Sequence, residues 1–133
     1  MIRAVADTHA MLWYLYDDPR LSQAARDLMD AVDAAGDQIA ISSVTLAELV
    51  YLVEKGRIAS EAWQRVMAIV QQPNAALVEI PLDREVVNLM WRVERQQVPD
   101  LPDRIVAATG LLLGVPVISR DRRIQWSGVT TVW

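Results

Sequence analysis

Along the chain, short apolar or β-branched runs alternate with longer stretches of helical spacing. The runs are Ile2 to Ala6, Gln38 to Ser42, Ala76 to Ile80, Val115 to Ser119 and Val129 to Val132. Their length and composition predict five strands. Between them, apolar residues recur three and four positions apart over Thr8 to Tyr16, Ser22 to Ala35, Val44 to Lys55, Ser60 to Gln71, Arg84 to Gln96 and Pro102 to Leu113. These stretches predict six helices. Ser22 and Ser60 suit N-caps, Pro102 suits a first helical turn, and Gly36, Gly56 and Gly114 stand where helices should stop. Strands separated by helices need right-handed crossovers. The pattern therefore predicts one α/β domain over residues 1–133, a three-layer α/β/α sandwich around a five-stranded parallel sheet, with its functional crevice at the carboxyl ends of the strands.

Composition narrows the chemistry. With 133 residues, 53% of them hydrophobic, the chain can build one core and is too short for two ordinary domains. It has no cysteine and a single histidine, His9, so thiolate zinc sites, cysteine nucleophiles and histidine-rich metal sites are excluded. Any metal needs oxygen ligands. No apolar stretch approaches the roughly 18 uninterrupted residues of a membrane span, and the first residues lack a leader pattern, so a cytoplasmic location is expected. The net charge of −4 argues against indiscriminate polyanion binding, but every basic residue except Lys55 is arginine, which suits bidentate phosphate contacts.

Four acids then draw attention by position. Asp7 is the first residue beyond the first apolar run, and Asp121 follows the fourth, so two predicted strand ends aim carboxylates at one edge of the sheet. Taken singly, Asp7 reads as an N-cap and Asp121 as a turn residue. Asp103 opens the helix in "LPDRIVAATG", where the helix dipole favours a carboxylate. Its own face, however, carries Val106, Ala107 and Gly110, small enough to pack closely on a sheet. Glu48 lies in "SVTLAELVYLVEKG", apolar nearly all round, with Val44, Ala47, Tyr51 and Leu52 on its side. The alternative for Glu48 is a side chain that reaches back to solvent. The apolar faces of this helix also predict self-association, as a homodimer, or cover by a partner chain. Four gathered carboxylates repel one another unless a divalent cation compensates, and hard oxygen ligands select magnesium or manganese, which can activate a water for phosphodiester hydrolysis.

The stretches "ADTHAMLWYL", "SSVTLAELVYLVEKGRI" and "LPDRIVAATGLLLGVPVISRDRRI" resemble PIN-domain proteins of the VapC-type toxin ribonucleases, over essentially the whole chain. The family's acidic motif falls on Asp7, Glu48, Asp103 and Asp121. The resemblance implies a five-stranded parallel sheet flanked by helices, a magnesium- or manganese-dependent endoribonuclease, and a cognate antitoxin that binds the toxin and blocks its site. His9 stands where many members carry a small polar residue.

Around the acids, Thr8 and Ser119 are expected to orient carboxylates through hydrogen bonds, although each could satisfy a local backbone group instead. His9 is read as a partly buried structural residue of the first helical turn rather than a proton relay or phosphate donor. Asp100, one turn before Asp103, is read as an N-cap or loop residue rather than as a water-mediated ligand. Arg104, Arg120, Arg122 and Arg123 cluster around the last two acids, and the first three are taken as RNA phosphate contacts, alongside surface salt bridges. Trp13, Trp63, Trp91, Trp126 and Trp133 lie in or beside apolar stretches and are expected mostly in the core or an interface. A receiver-like phosphoacceptor domain is disfavoured, because Ile80-Pro81 stands where its acceptor Asp would be and no lysine lies near the last strand ends. A stand-alone RNA-processing nuclease and a catalytically silent PIN-like binding module both stay open.

Overall fold

The first apolar run forms the middle of the sheet. In the computed structural model, which describes residues 1–133, β1 (Ile2–Ala6) pairs with β2 (Gln38–Ser42) on one side and β4 (Val117–Ile118) on the other. Beyond them lie β3 (Leu77–Ile80) and β5 (Thr131–Val132), giving the order β3-β2-β1-β4-β5 with every pair parallel. The crossovers are α1 (Thr8–Leu15), α2 (Gln23–Ala34), α3 (Ser43–Glu54), α4 (Ser60–Val70), α5 (Arg84–Leu89), α6 (Leu101–Leu113) and α7 (Arg122–Trp126).

Alternation along the strands divides the core between the two faces of the sheet. Ala4, Ala6, Ile39, Ile41 and Ile118 pack with Met11, Met29, Leu49 and Val66 from α1 to α4. Val5, Ala40 and Val117 instead pack with Val86, Ile105, Val106 and Ile124 from α5 to α7. The three-layer α/β/α architecture is thus the one expected from the pattern. No helix is long and apolar enough to cross a membrane.

Gly110 explains how closely α6 lies on the sheet. A Cβ built there would stand 2.7 Å from Val117 Cγ2 and 3.3 Å from the carbonyl oxygen of Val115. Gly110→Ala should therefore lower stability by about 1–2 kcal/mol, because overpacking outweighs the ~1 kcal/mol that alanine gains in helix propensity. A higher midpoint in urea would contradict this account.

Several element limits differ from the pattern for identifiable reasons. β4 is shorter than Val115 to Ser119 because Pro116 has no N–H to give; its carbonyl still accepts from Val5 N at 3.0 Å. The stretch Arg84 to Gln96 is not one helix. It ends at Leu89, followed by a 3-10 turn over Met90–Arg92 and a non-helical stretch to Asp100. The carbonyls of Met90 and Val93, which a continued helix would use, accept from the Arg104 guanidinium at 2.8 and 3.2 Å. Ser22 caps α2 as expected, accepting from Ala25 N, whereas Ser60 is the first helical residue of α4 and Ala59 precedes it. The short helix α7 was not expected; Asp121 caps it and Ile124 anchors it in the core.

Candidate active site

Asp7 leaves β1 at the carboxyl edge of the sheet, and one of its oxygens accepts from Ala10 N at 2.8 Å, capping α1. The cap and the crevice readings therefore hold together, since a carboxylate has a second oxygen free for other work. Asp121 likewise caps α7 through Arg123 N at 2.9 Å. Asp103, in the first turn of α6, faces it. Asp7, Asp103 and Asp121 line one open cavity of about 330 Å³, together with His9, Trp13 and Arg120.

The electrostatics of this cavity are those of acids held against their preference. Asp103 is pushed up to about 7, first by burial, then by the charges of Asp100 and Asp121 and a hydrogen bond with the Asp121 carboxyl. Burial also raises Asp7, against the opposing effects of Ser119, of its capping bond and of the nearby His9. None of the ion pairs in the molecule involves these acids; they join the N-terminus and Arg3 to Asp37, Arg20 to Asp18, and Arg26 to Asp17.

Glu48 does not line the same cavity. It is half-buried on α3, where its Oε1 accepts from the Thr8 hydroxyl at 2.8 Å. Burial raises its pKa, and the charges of Asp100 and Asp7 add to the rise. The Thr8 oxygen also lies 3.4 Å from that of Thr45. Thr8 has one hydroxyl proton, and the shorter contact to a carboxylate takes it, so Thr45 donates in turn to Thr8. Both threonines are buried. This two-hydroxyl relay fixes the direction of Glu48. Thr8→Val should lower any metal-dependent activity by about tenfold or more with the fold retained; an unchanged rate would make the relay irrelevant to the site.

The remaining candidates divide between those that stand as read and those that do not. Ser119 is buried, its hydroxyl accepting from Asp121 N at 3.0 Å and holding down the pKa of Asp7, so it links two of the acids. Asp100 caps α6, accepting from Asp103 N at 3.1 Å, yet its charge also acts on both Asp103 and Glu48. It belongs to the acidic cluster, and its place three residues before Asp103 was the available signal. Arg104 does not point to the crevice as a phosphate contact would; it turns inward to the Met90 and Val93 carbonyls, with its Nε buried and unpaired. Arg120 and Arg122 are exposed beside the acids, lining a neighbouring hollow of about 270 Å³ with Ser119 and Asp121. His9 is exposed rather than partly buried, its ring 5.5 Å from that of Trp13. Trp13 is in the core, but Trp91 and Trp126 are 87% and 67% exposed.

As the side chains stand, no three of the acidic groups converge closely enough to hold one ion together. The donor set nonetheless suits a divalent cation: hard oxygens, no lysine or arginine paired to them, and a carboxyl at Asp103 whose pKa burial and the charges of Asp100 and Asp121 push up to about 7.

A profile of the PIN domain matches residues 4–126. The chain belongs to the PIN-domain family. It is 24% identical over 125 residues to "Ribonuclease VapC22" of Mycobacterium tuberculosis, covering 94% of this chain and 92% of the relative. Among solved structures, VapBC2 of Rickettsia felis bound to a promoter DNA fragment superposes with a TM-score of 0.70 at 18% identity, covering 98% of this chain and 97% of that one. DNA-bound VapBC of Salmonella typhimurium gives 0.67 at 19% identity, over 98% and 97% of the two chains. A toxin-antitoxin complex from Klebsiella pneumoniae gives 0.62 at 23%, over 90% and 87%. At such identities the superpositions establish the fold, and this PIN domain has the five-stranded parallel sheet of those chains.

Proposed function

We propose that this PIN domain is a metal-dependent endoribonuclease acting as the toxin of a toxin-antitoxin pair. Asp7, Glu48, Asp103 and Asp121 hold magnesium or manganese in this reading, and the bound ion supplies Lewis acidity and an activated water for attack on an RNA phosphodiester. The observation that carries it is that Asp7, Asp103 and Asp121 line one open cavity and none of them is ion-paired to a basic group, although Arg120 lies on its wall. A purely structural cluster of acids would be expected to hold an arginine in an ion pair.

The chain's own groups have separable tasks. Thr8 orients Glu48, and Ser119 ties the Asp121 backbone to the neighbourhood of Asp7. Arg120 and Arg122, exposed next to the acids, bind phosphates of the RNA on either side of the cut. Arg104 has no part in substrate binding. The exposed apolar side chains on α3, Val50 and Tyr51, suit the interface of a homodimer. The antitoxin partner rests on the likeness to structures described as VapBC and toxin-antitoxin complexes.

Expression in a bacterial host tests the biological half of the proposal. The wild-type chain should slow growth, Asp103→Asn at the same level should not, and total RNA from the arrested cells should carry new internal cuts. Equal slowing by both chains would trace the effect to overexpression and remove the toxin reading. Cleavage of one precursor RNA without growth arrest would favour a dedicated processing nuclease. Purified wild type that cuts no RNA with either metal would favour a silent binding module.

A further inference from the structure

A larger hollow, of about 420 Å³, shares His9 and Trp13 with the acid cavity. Its walls include the aliphatic side chains of Leu12, Leu52 and Ile58, contributed by α1, α3 and the turn before α4. Its charged groups differ in how committed they are. Arg20 is locked onto Asp18, with Nε at 3.0 Å and Nη2 at 2.8 Å from the carboxylate, while its guanidinium lies 5.0 Å from the Trp13 ring centre. That pair neutralises itself. Arg57 enters no ion pair and no side-chain hydrogen bond, so all five of its donors are free.

Apolar walls, an exposed imidazole at the mouth and a free guanidinium at the rim match a nucleobase with its phosphate. A helix of a partner protein would be served by a continuous apolar stripe, whereas this lining is interrupted by Asp18, Arg20, Arg57 and Glu61. Continuity with the acid cavity matters most: an RNA strand whose phosphodiester lies over Asp7, Asp103 and Asp121 has its next nucleotide beside His9.

We infer that the hollow between α1 and the α3–α4 turn takes the base of one nucleotide flanking the cleaved phosphodiester, with Arg57 on the adjoining phosphate. This rests on the nuclease reading and adds a base-binding subsite to it, since a base seated between Leu12, Leu52 and Ile58 has left the stack of its neighbours.

Cleavage of an unstructured RNA carrying a single mapped cut site tests this, with the base deleted from the nucleotide on one side or the other. Wild type with manganese should cut about tenfold more slowly when the base is missing on one side only, the loss typical of one stacked base. Ala59→Trp fills the hollow from an exposed position that makes no side-chain capping bond. It should cut intact and base-deleted RNA at one common, lowered rate. Arg57→Ala should cut more slowly and lose about one phosphate's worth of salt dependence. Thermal melts should leave both variants close to wild type.

Wild type indifferent to base deletion on both sides would overturn the inference while the nuclease reading stands. So would an Ala59→Trp enzyme that keeps the base effect together with an Arg57→Ala enzyme of unchanged salt dependence. Variants that cut RNA normally but no longer bind an antitoxin peptide would make the hollow a protein-docking surface instead. A wild type that cuts no RNA at all fails the nuclease reading, and this inference falls with it.

Discussion

Asp103→Asn should reduce RNA cleavage with magnesium or manganese on the order of 1000-fold or more, while the metal-free protein melts higher than wild type at neutral pH. The two effects have one cause. Asp103 is half-buried among Asp100, Asp121 and Asp7; burial first, then those charges, push its pKa up to about 7, so its charge is unfavourable there. Asparagine keeps the shape and a hydrogen-bond partner for Asp121 but removes the repelled charge. A gain of about 1 kcal/mol, or ~3 °C in Tm, is expected after solvent screening. The same substitution deletes a donor oxygen for the cation and a charge that would bind it. Asp7→Asn and Glu48→Gln should lose activity similarly; the glutamine carbonyl can still accept from Thr8. A folded Asp103→Asn protein that cuts RNA at the wild-type rate would sink the assignment. Unfolding of all three variants would make the acids part of the scaffold.

The sheet and the acids that leave it were legible because both are written locally. Val5, Ala40 and Val117 sit in short apolar runs, and an acid that follows such a run in a parallel α/β fold is at the carboxyl edge wherever the strand lies in the order. Gly110 was legible as a close-packing position from its spacing to Asp103. What could not be read was decided by side chains meeting across long sequence separations. Arg104 seeks the carbonyls of Met90 and Val93, which ends α5 early and takes Arg104 out of the crevice. No local pattern announces that choice. Asp103 and Asp121 are 18 residues apart, and only the packing of α6 beside β4 makes them hydrogen-bond partners. Asp100 was read as an N-cap or loop residue in preference to a water-mediated ligand, since a cap residue's other neighbours are set by tertiary structure. Trp91 and Trp126 lie beside apolar stretches and were grouped with tryptophans expected mostly in the core or an interface; on the single chain they are exposed, which leaves only the interface place for them.

Raising the pH should destabilise the metal-free protein and strengthen its response to metal. The sign follows from the carboxyls. Asp103 titrates near 7 in the fold against 3.8 as a free side chain, and Asp7 and Glu48 are raised in the same direction. Between about pH 4 and 7 the folded chain therefore holds more protons than the unfolded one, so stability is greatest at the acidic end and is lost as pH rises through the folded pKa. Asp18, lowered to about 2, and Asp37, also lowered, act in the opposite sense but below this window. Allowing for screening, the loss from Asp103 is on the order of 2 kcal/mol, several degrees in Tm, between pH 5 and 8. A divalent cation binds only the ionised cluster, and at 100 times its dissociation constant it adds about 2.7 kcal/mol to the native state. Melting curves at pH 5, 6, 7 and 8, with chelator and with excess manganese, should diverge as pH rises. With chelator, Tm falls; with manganese it holds or climbs, and Asp103→Asn flattens both trends. A chelator series with no slope would mean that the acids are not crowded as charges. Parallel series with and without manganese would mean that the crowding serves something other than a metal, since no ligand that needs the ionised carboxylates can ignore the pH at which they form.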